Sequence, residues 1–126
     1  MIPDHNILLK KLDHYGFQQT VLDLMNSYLS GRSQSVFVNG ASSLPFKMQC
    51  GVPQGSCLGP LLYLLYVNDM SCALTKSHMI TFADDTTLYA SGSSCTDIQT
   101  ALQQDLDNIR DWMDRNKLVL NMKKLK

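Results

Sequence analysis

Glutamate is absent from this 126-residue chain: its eleven acidic residues are all Asp. Nothing in the composition explains that skew. Basic excess is also lacking, because eleven Lys and Arg balance the acids to a net charge of zero. A self-sufficient nucleic-acid-binding domain normally grips phosphates with a basic surface. A neutral module can do so only where the grip is supplied by other segments. Cys50, Cys57, Cys72 and Cys95 form no Cys-x-x-Cys pair and no His-linked zinc spacing. Four free thiols in a reducing compartment are therefore expected. Long hydrophobic runs are missing as well. The longest, Leu61 to Val67, is far short of the ~20 residues that span a bilayer. No membrane role follows, and no signal-peptide pattern opens the chain. The expectation is an intracellular protein, nuclear or cytoplasmic. Nothing in the sequence fixes an oligomeric state.

The 44% hydrophobic content and regular apolar periodicities argue against disorder. The length suits one domain with a core of helices on a sheet. Asn6 to about Tyr15 reads as a short helix with Ile7, Leu8, Leu9 and Leu12 on one stripe. A second helix is predicted from about Gln18 to Leu29, stopped by Gly31. Ser35 to Val38, a turn at Asn39-Gly40 and a return near Phe46 to Cys50 read as a hairpin. The intervening Ser42-Ser43-Leu44-Pro45 suggests a less regular connection than a two-residue turn. Cys57 to about Asn68 is predicted helical, with Pro60 in the first turn. Apolar nearly all round, it should be buried. Met79–Phe82 and Thr86–Tyr89 form a second hairpin. Thr96-Asp97-Ile98-Gln99 fits a capping box. It opens a helix whose Ile98, Leu102, Leu106, Ile109 and Met113 face one way. A final strand covers Leu118 to Leu120. The order α-α-β-β-α-β-β-α-β suits an α+β fold, an antiparallel sheet with helices packed on one face.

Two segments carry chemistry. In Phe82-Ala83-Asp84-Asp85, adjacent carboxylates fall at a hairpin tip. Like charges so close are costly unless a cation lies between them. Mg²⁺ suits the position, as a hard ion that takes carboxylate and phosphate oxygens together; Mn²⁺ is a second candidate. Taken alone, an Asp-Asp pair is as readily a turn that bonds its own backbone, so the surroundings decide. Gly51-Val-Pro-Gln-Gly-Ser-Cys-Leu-Gly-Pro60 is the second segment. Its glycines let a ligand approach the main chain. The loop then feeds a helix N-terminus, where free N–H groups favour anions. No Lys follows the glycines, which excludes a Walker-type phosphate loop. His5 beside Asp4 reads as a capping or intrahelical contact, and Arg32 as a solvated cation.

In this order the two motifs resemble the palm of reverse transcriptases, and most closely those of non-LTR (long interspersed element-type) retrotransposons. Asp4-His5 to Leu12 with His14-Tyr15-Gly16, Ser27 to Gln34, Val38-Asn39-Gly40, and Trp112 with Asn116 to Asn121 extend the likeness along nearly the whole chain. Where the family usually has Lys-Thr-Lys, this chain has Lys124-Leu125-Lys126.

The resemblance implies a partial polymerase palm over residues 1–126. Its parent reaction is Mg²⁺-dependent addition of deoxynucleoside triphosphates to a DNA primer on an RNA template. Asp84 would be the metal ligand and Asp85 its partner. Gln54, Gly55 and Lys124 would face nucleotide or template, although Lys124 also fits an exposed basic tail. The family's first catalytic motif, with a further metal-binding Asp, would lie upstream of Met1. On that expectation the chain is truncated before this motif and inactive in isolation. The rival reading is a non-catalytic remnant of a decayed retroelement, acting at most as a binding module.

Overall fold

A computed structural model describes residues 3–48, 50–52, 55–82 and 85–119. They form four α-helices, one 3₁₀ segment and small antiparallel sheets, the α+β mixture expected. Each described sheet is a two-stranded ladder. The chain divides into two compact units, Ile2–Tyr66 and Val67–Lys126.

The first unit opens with α1 (His5–His14). Asp4 caps it, its carboxylate accepting from Asn6 N and Ile7 N at 3.0 and 3.2 Å. The helix stops at Gly16, whose φ of 86° is the left-handed conformation that glycine adopts without penalty. Phe17 N then bonds back to Leu12 O and Gly16 N to Asp13 O, a Schellman closure. Helix α2 (Gln19–Leu29) packs against α1. Leu8, Leu12, Leu29, Leu62 and Tyr66 are buried and form this unit's apolar centre.

The hairpin that follows α2 is more regular at its tip than the sequence suggested. Asn39 and Gly40 have φ of 49° and 82°, the two positive values of a type I′ turn. Around it, β2 (Phe37–Val38) pairs with β3 (Ala41–Ser42). Further out, β1 (Ser33–Gln34) pairs with β4 (Phe46–Lys47). Between the ladders three positions separate Gln34 from Phe37, but four separate Ser42 from Phe46. The irregularity read at Ser42–Pro45 is thus a bulge in the return strand. Helix α3 (Leu58–Val67) carries Pro60 in its first turn, as expected. It is not buried all round, since Leu61 and Leu64 are half-exposed while Leu62 and Tyr66 face inward.

In the second unit a 3₁₀ segment (Asn68–Ala73) leads to β5 (His78–Phe82) and β6 (Asp85–Tyr89). Helix α4 (Cys95–Arg115) completes it and packs on the 3₁₀ segment. The α4 cap is Ser94, whose Oγ accepts from Asp97 N. The predicted Thr96 box is therefore displaced by two residues, and Thr96 lies inside the helix. Leu106, assigned to the apolar stripe, is 46% exposed, whereas Asp105 is fully buried. Leu118 and Val119 join no described strand, and Leu120 lies outside the described residues. They follow a second Schellman closure, in which Leu118 N bonds Met113 O and Lys117 N bonds Asp114 O. Among the described residues no helix is long and apolar enough to cross a membrane, and all four cysteines are free and exposed.

The two Schellman closures differ at the left-handed position. Gly16 fills one, but Lys117, with φ of 53°, fills the other. A side chain there costs on the order of 1 kcal/mol. Lys117→Gly should raise the unfolding free energy by about that amount in urea titration; no gain would mean that the lysine side chain offsets the strain.

Candidate functional site

The hairpin bearing the carboxylates owes its formation to Ile80, Thr81, Thr86 and Thr87, β-branched residues that suit a pleated ladder. Register runs from His78↔Tyr89 at the base to Phe82↔Asp85 at the tip. The first rung is reinforced by the His78 and Tyr89 rings, 5.3 Å apart. At the tip Asp85 is exposed, and among the described residues no hydrogen bond or ion pair engages its carboxylate. Asp84 lies outside the described residues, as do Gln54 and Lys124.

The donor set at this tip is two neighbouring carboxylates with no thiol or imidazole adjoining them in sequence. That chemistry fits a hard divalent cation and disfavours zinc or copper. It is an open, sparse set. Among the described residues no group of three or more His, Cys, Asp or Glu comes together.

The glycine loop lies in the first unit, and its entrance is fixed by α1. Asp4 and Cys50 form an isolated antiparallel bridge. Gly51 N donates to Pro3 O at 2.7 Å. Nε2 of His5 donates to Gly51 O at 2.7 Å. His5 is therefore not a capping residue, because Asp4 alone caps α1 while its neighbour reaches forty-six positions along the chain. Gly51 has φ of 88° and Gly55 φ of 77°, so the loop depends on glycine at both positions. Among the described residues, chain neighbours aside, no atom stands within 4 Å of a side chain built on Gly55, and Gly55 is exposed. Ser56 Oγ accepts from Gly59 N in the first turn of α3. At the far end of that helix, Lys11 donates to Tyr66 O at 2.7 Å and lies 5.0 Å from the Tyr66 ring centre. The Tyr66 hydroxyl accepts from Asp4 N. Helix α1 thus holds both the entrance of the loop and the end of the helix that it feeds. Gly55 belongs to the first unit and Asp85 to the second. Arg32, read as solvated, stacks over the Tyr28 ring at 5.5 Å.

Sequence reasoning missed Asp105. Its Oδ1 accepts from Thr75 N, Thr75 Oγ1 and Asn108 Nδ2. Its Oδ2 accepts from Lys76 N, Ser77 N and Ser77 Oγ at 2.6–2.9 Å. Burial by itself would raise the pKa of this carboxyl, but the bonds from Ser77, Lys76 and Thr75 outweigh burial and hold it well below the usual carboxylate range. One signal was available: an Asp at position 105, three residues after Leu102 and four before Ile109, interrupts the buried face of an amphipathic helix.

Two outcomes follow from these contacts. His5→Ala should destabilise the chain by about 1 kcal/mol and speed proteolytic cleavage between Cys50 and Leu58. Unchanged cleavage would show that Pro3 alone holds the loop entrance. For Asp105, a depressed folded-state pKa makes its contribution complete above the ordinary value of 3.8 and lost as the pH falls below it. Wild-type stability should therefore drop more steeply between about pH 4 and about pH 2 than that of Asp105→Asn. Parallel urea midpoints for the two proteins would refute this.

Comparison with known proteins agrees with the motif pattern. The family described as reverse transcriptase (RNA-dependent DNA polymerase) matches residues 4–126. The probable RNA-directed DNA polymerase from transposon BS of Drosophila melanogaster is 34% identical over 127 residues, covering 95% of this chain and 14% of that protein. The probable RNA-directed DNA polymerase from transposon X-element of the same fly is 36% identical over 80% of this chain and 12% of its own length. The RNA-directed DNA polymerase from mobile element jockey of Drosophila funebris is 32% identical, over 73% of this chain and 11% of its own length. No solved structure matches the chain significantly. With glycine loop and Asp hairpin both inside the matched span, the chain belongs to the reverse transcriptase family of non-LTR retrotransposons, of whose polymerases it spans about one-seventh.

Proposed function

We propose that residues 1–126 form part of the palm of an RNA-directed DNA polymerase and contribute metal and nucleotide contacts to its active site. What supports this reading is the family match across Asp84–Asp85 and Gln54–Gly55, joined to one structural observation. Asp85 is exposed at the tip of a regular hairpin, and among the described residues no cation neutralises it. Asp84 and Asp85 would hold Mg²⁺, or Mn²⁺ in its place. When bound, such ions lower the barrier to attack by the primer 3′-oxygen and stabilise the departing pyrophosphate.

The chain's own residues supply placement. The bond formed joins the primer 3′-oxygen to the α-phosphorus of a deoxynucleoside triphosphate; the bond broken releases pyrophosphate. Gly55, unobstructed and in a left-handed conformation, lets nucleotide or template base approach the backbone, and Gln54 contributes its amide. The N-terminal turn of α3 favours phosphate charge. Lys124 would neutralise part of the triphosphate. RNA template and DNA primer are the partners. Isolated, the chain should not polymerise, because Mg²⁺ held by one or two carboxylates depends on substrate phosphates for the rest of its shell.

The test is a chimera of the transposon BS polymerase in which this chain replaces the matched segment. It should extend a DNA primer on RNA with Mg²⁺ or Mn²⁺. Asp84→Asn should reduce the rate by 10³-fold or more, on the order of the several kcal/mol that metal assistance supplies. Extension that survives the substitution would overturn the assignment. Extension by the isolated 126 residues would overturn the claim that they are inactive alone.

A further inference from the structure

We propose that Asp105 is a positioning residue for the Asp84–Asp85 hairpin, setting the hairpin's angle by clamping the turn from which β5 departs. This inference rests on the reading of that hairpin as a metal-binding element. Its observations are separate from that reading.

Three features carry it. The clamp grips Thr75, Lys76 and Ser77, the residues immediately before β5 begins at His78. Both backbone and hydroxyl donors converge on one carboxylate that is wholly buried, so the turn cannot shift without stranding either a charge or its donors. On the other strand, β6 ends at Tyr89 and returns to α4 through a loop whose Gly92 presses on Ile98. A side chain built on Gly92 would stand 3.1 Å from Ile98 Cγ1. One root of the hairpin is therefore tied to α4 by Asp105, and at the other the chain passes close to Ile98, leaving no room for a side chain at Gly92. Beyond these roots the ribbon is exposed, with Ile80 59% and Phe82 82% accessible. Its angle must be set at the base.

Leverage makes the base consequential. Five residues of β5 span about 17 Å, so a rock of about 5° at the root moves the tip by about 1.5 Å. Misplacement of about 1 Å at a reacting centre can cost 10²-fold in rate.

The experiment compares amide hydrogen exchange in the wild-type chain, Asp105→Asn, Thr75→Val and Met113→Ala. Met113 is a buried core residue outside the clamp and serves as a control for general destabilisation. Asp105→Asn should lower protection in β5 and β6 about 30-fold more than in α1 and α2. Met113→Ala should not single out the hairpin. If Asp105→Asn fails to fold, Thr75→Val removes only the hydroxyl donor and should give a smaller loss confined to the same amides. Equal losses across α1, α2 and the hairpin in both clamp variants would overturn the proposal, as would unprotected β5 and β6 amides in the wild type. Mn²⁺ line broadening at Phe82 and Thr86, read with a deoxynucleoside triphosphate present, provides the second readout, and Asp105→Asn should need more Mn²⁺ for the same broadening. Absence of broadening in the wild type under these conditions would sink the metal reading, while exchange would still decide the clamp.

Discussion

A carboxylate taken out of water must find donors for both oxygens or give up its charge. Asp105 takes the first course. Five of its donors come from a three-residue turn in which three consecutive backbone N–H groups converge on one carboxylate. The helix thereby does for the turn what a ladder partner would otherwise do, satisfying main-chain donors that have no strand opposite them. The net worth of each such bond is modest, about 1.5–3 kcal/mol where a charged group takes part. Loss of the acceptor is costlier than that suggests, because it strands both donors of buried Ser77 at once. That asymmetry favours a fixed turn at the base of an exposed ribbon.

The first unit solves its own placement problem by a different route. Among the described residues, its glycine loop has open space around Gly55 and no buried carboxylate to fix it. Short contacts at the boundaries take that part. Pro3 and His5 seize Gly51, while Lys11 and Asp4 meet Tyr66. Each contact is worth about 1 kcal/mol, but all originate on α1 or the two residues that lead into it, so they move together. The loop is held at its entrance, and Gly55 is exposed. Such an arrangement suits a segment that must admit a ligand to its backbone.

Much of this was legible from the sequence wherever local chemistry decides the outcome. The extents of α1 and α2, the presence of α4, the Asn39-Gly40 turn and the β5–β6 pairing all follow from periodicity, β-branching and turn residues. What escaped depends on partners far apart in the chain. His5 looked like a cap because Asp4 is adjacent, yet its acceptor is Gly51. Leu106 looked like core because apolar spacing admits it, yet Asp105 occupies the buried face. Hydropathy assigns a carboxylate to solvent, and only the Thr75–Ser77 donors, thirty residues earlier in the chain, reverse that. Of the candidate site, Gly55 and Asp85 have the exposure that ligand contact requires. Asp84, Gln54 and Lys124 rest on sequence.

The two hairpins illustrate how a ribbon can be specified without a buried face. An isolated two-stranded ladder is marginal in water, and burial cannot choose its register when both faces are wet. Residues 33–47 meet this with turn chemistry, since Asn39 and Gly40 take the two left-handed conformations of a type I′ turn. That fixes the tip and leaves the base, with its bulge, less determined. The β5–β6 hairpin reverses the arrangement. Its base is held by Asp105 on the β5 side, and Asp85 at its tip is exposed. A ribbon fixed at the tip can swing as a unit, whereas one fixed at the base delivers its tip to a defined point. The second is what the metal-binding role proposed for Asp84 and Asp85 would demand, and it is the β5–β6 hairpin whose base Asp105 holds.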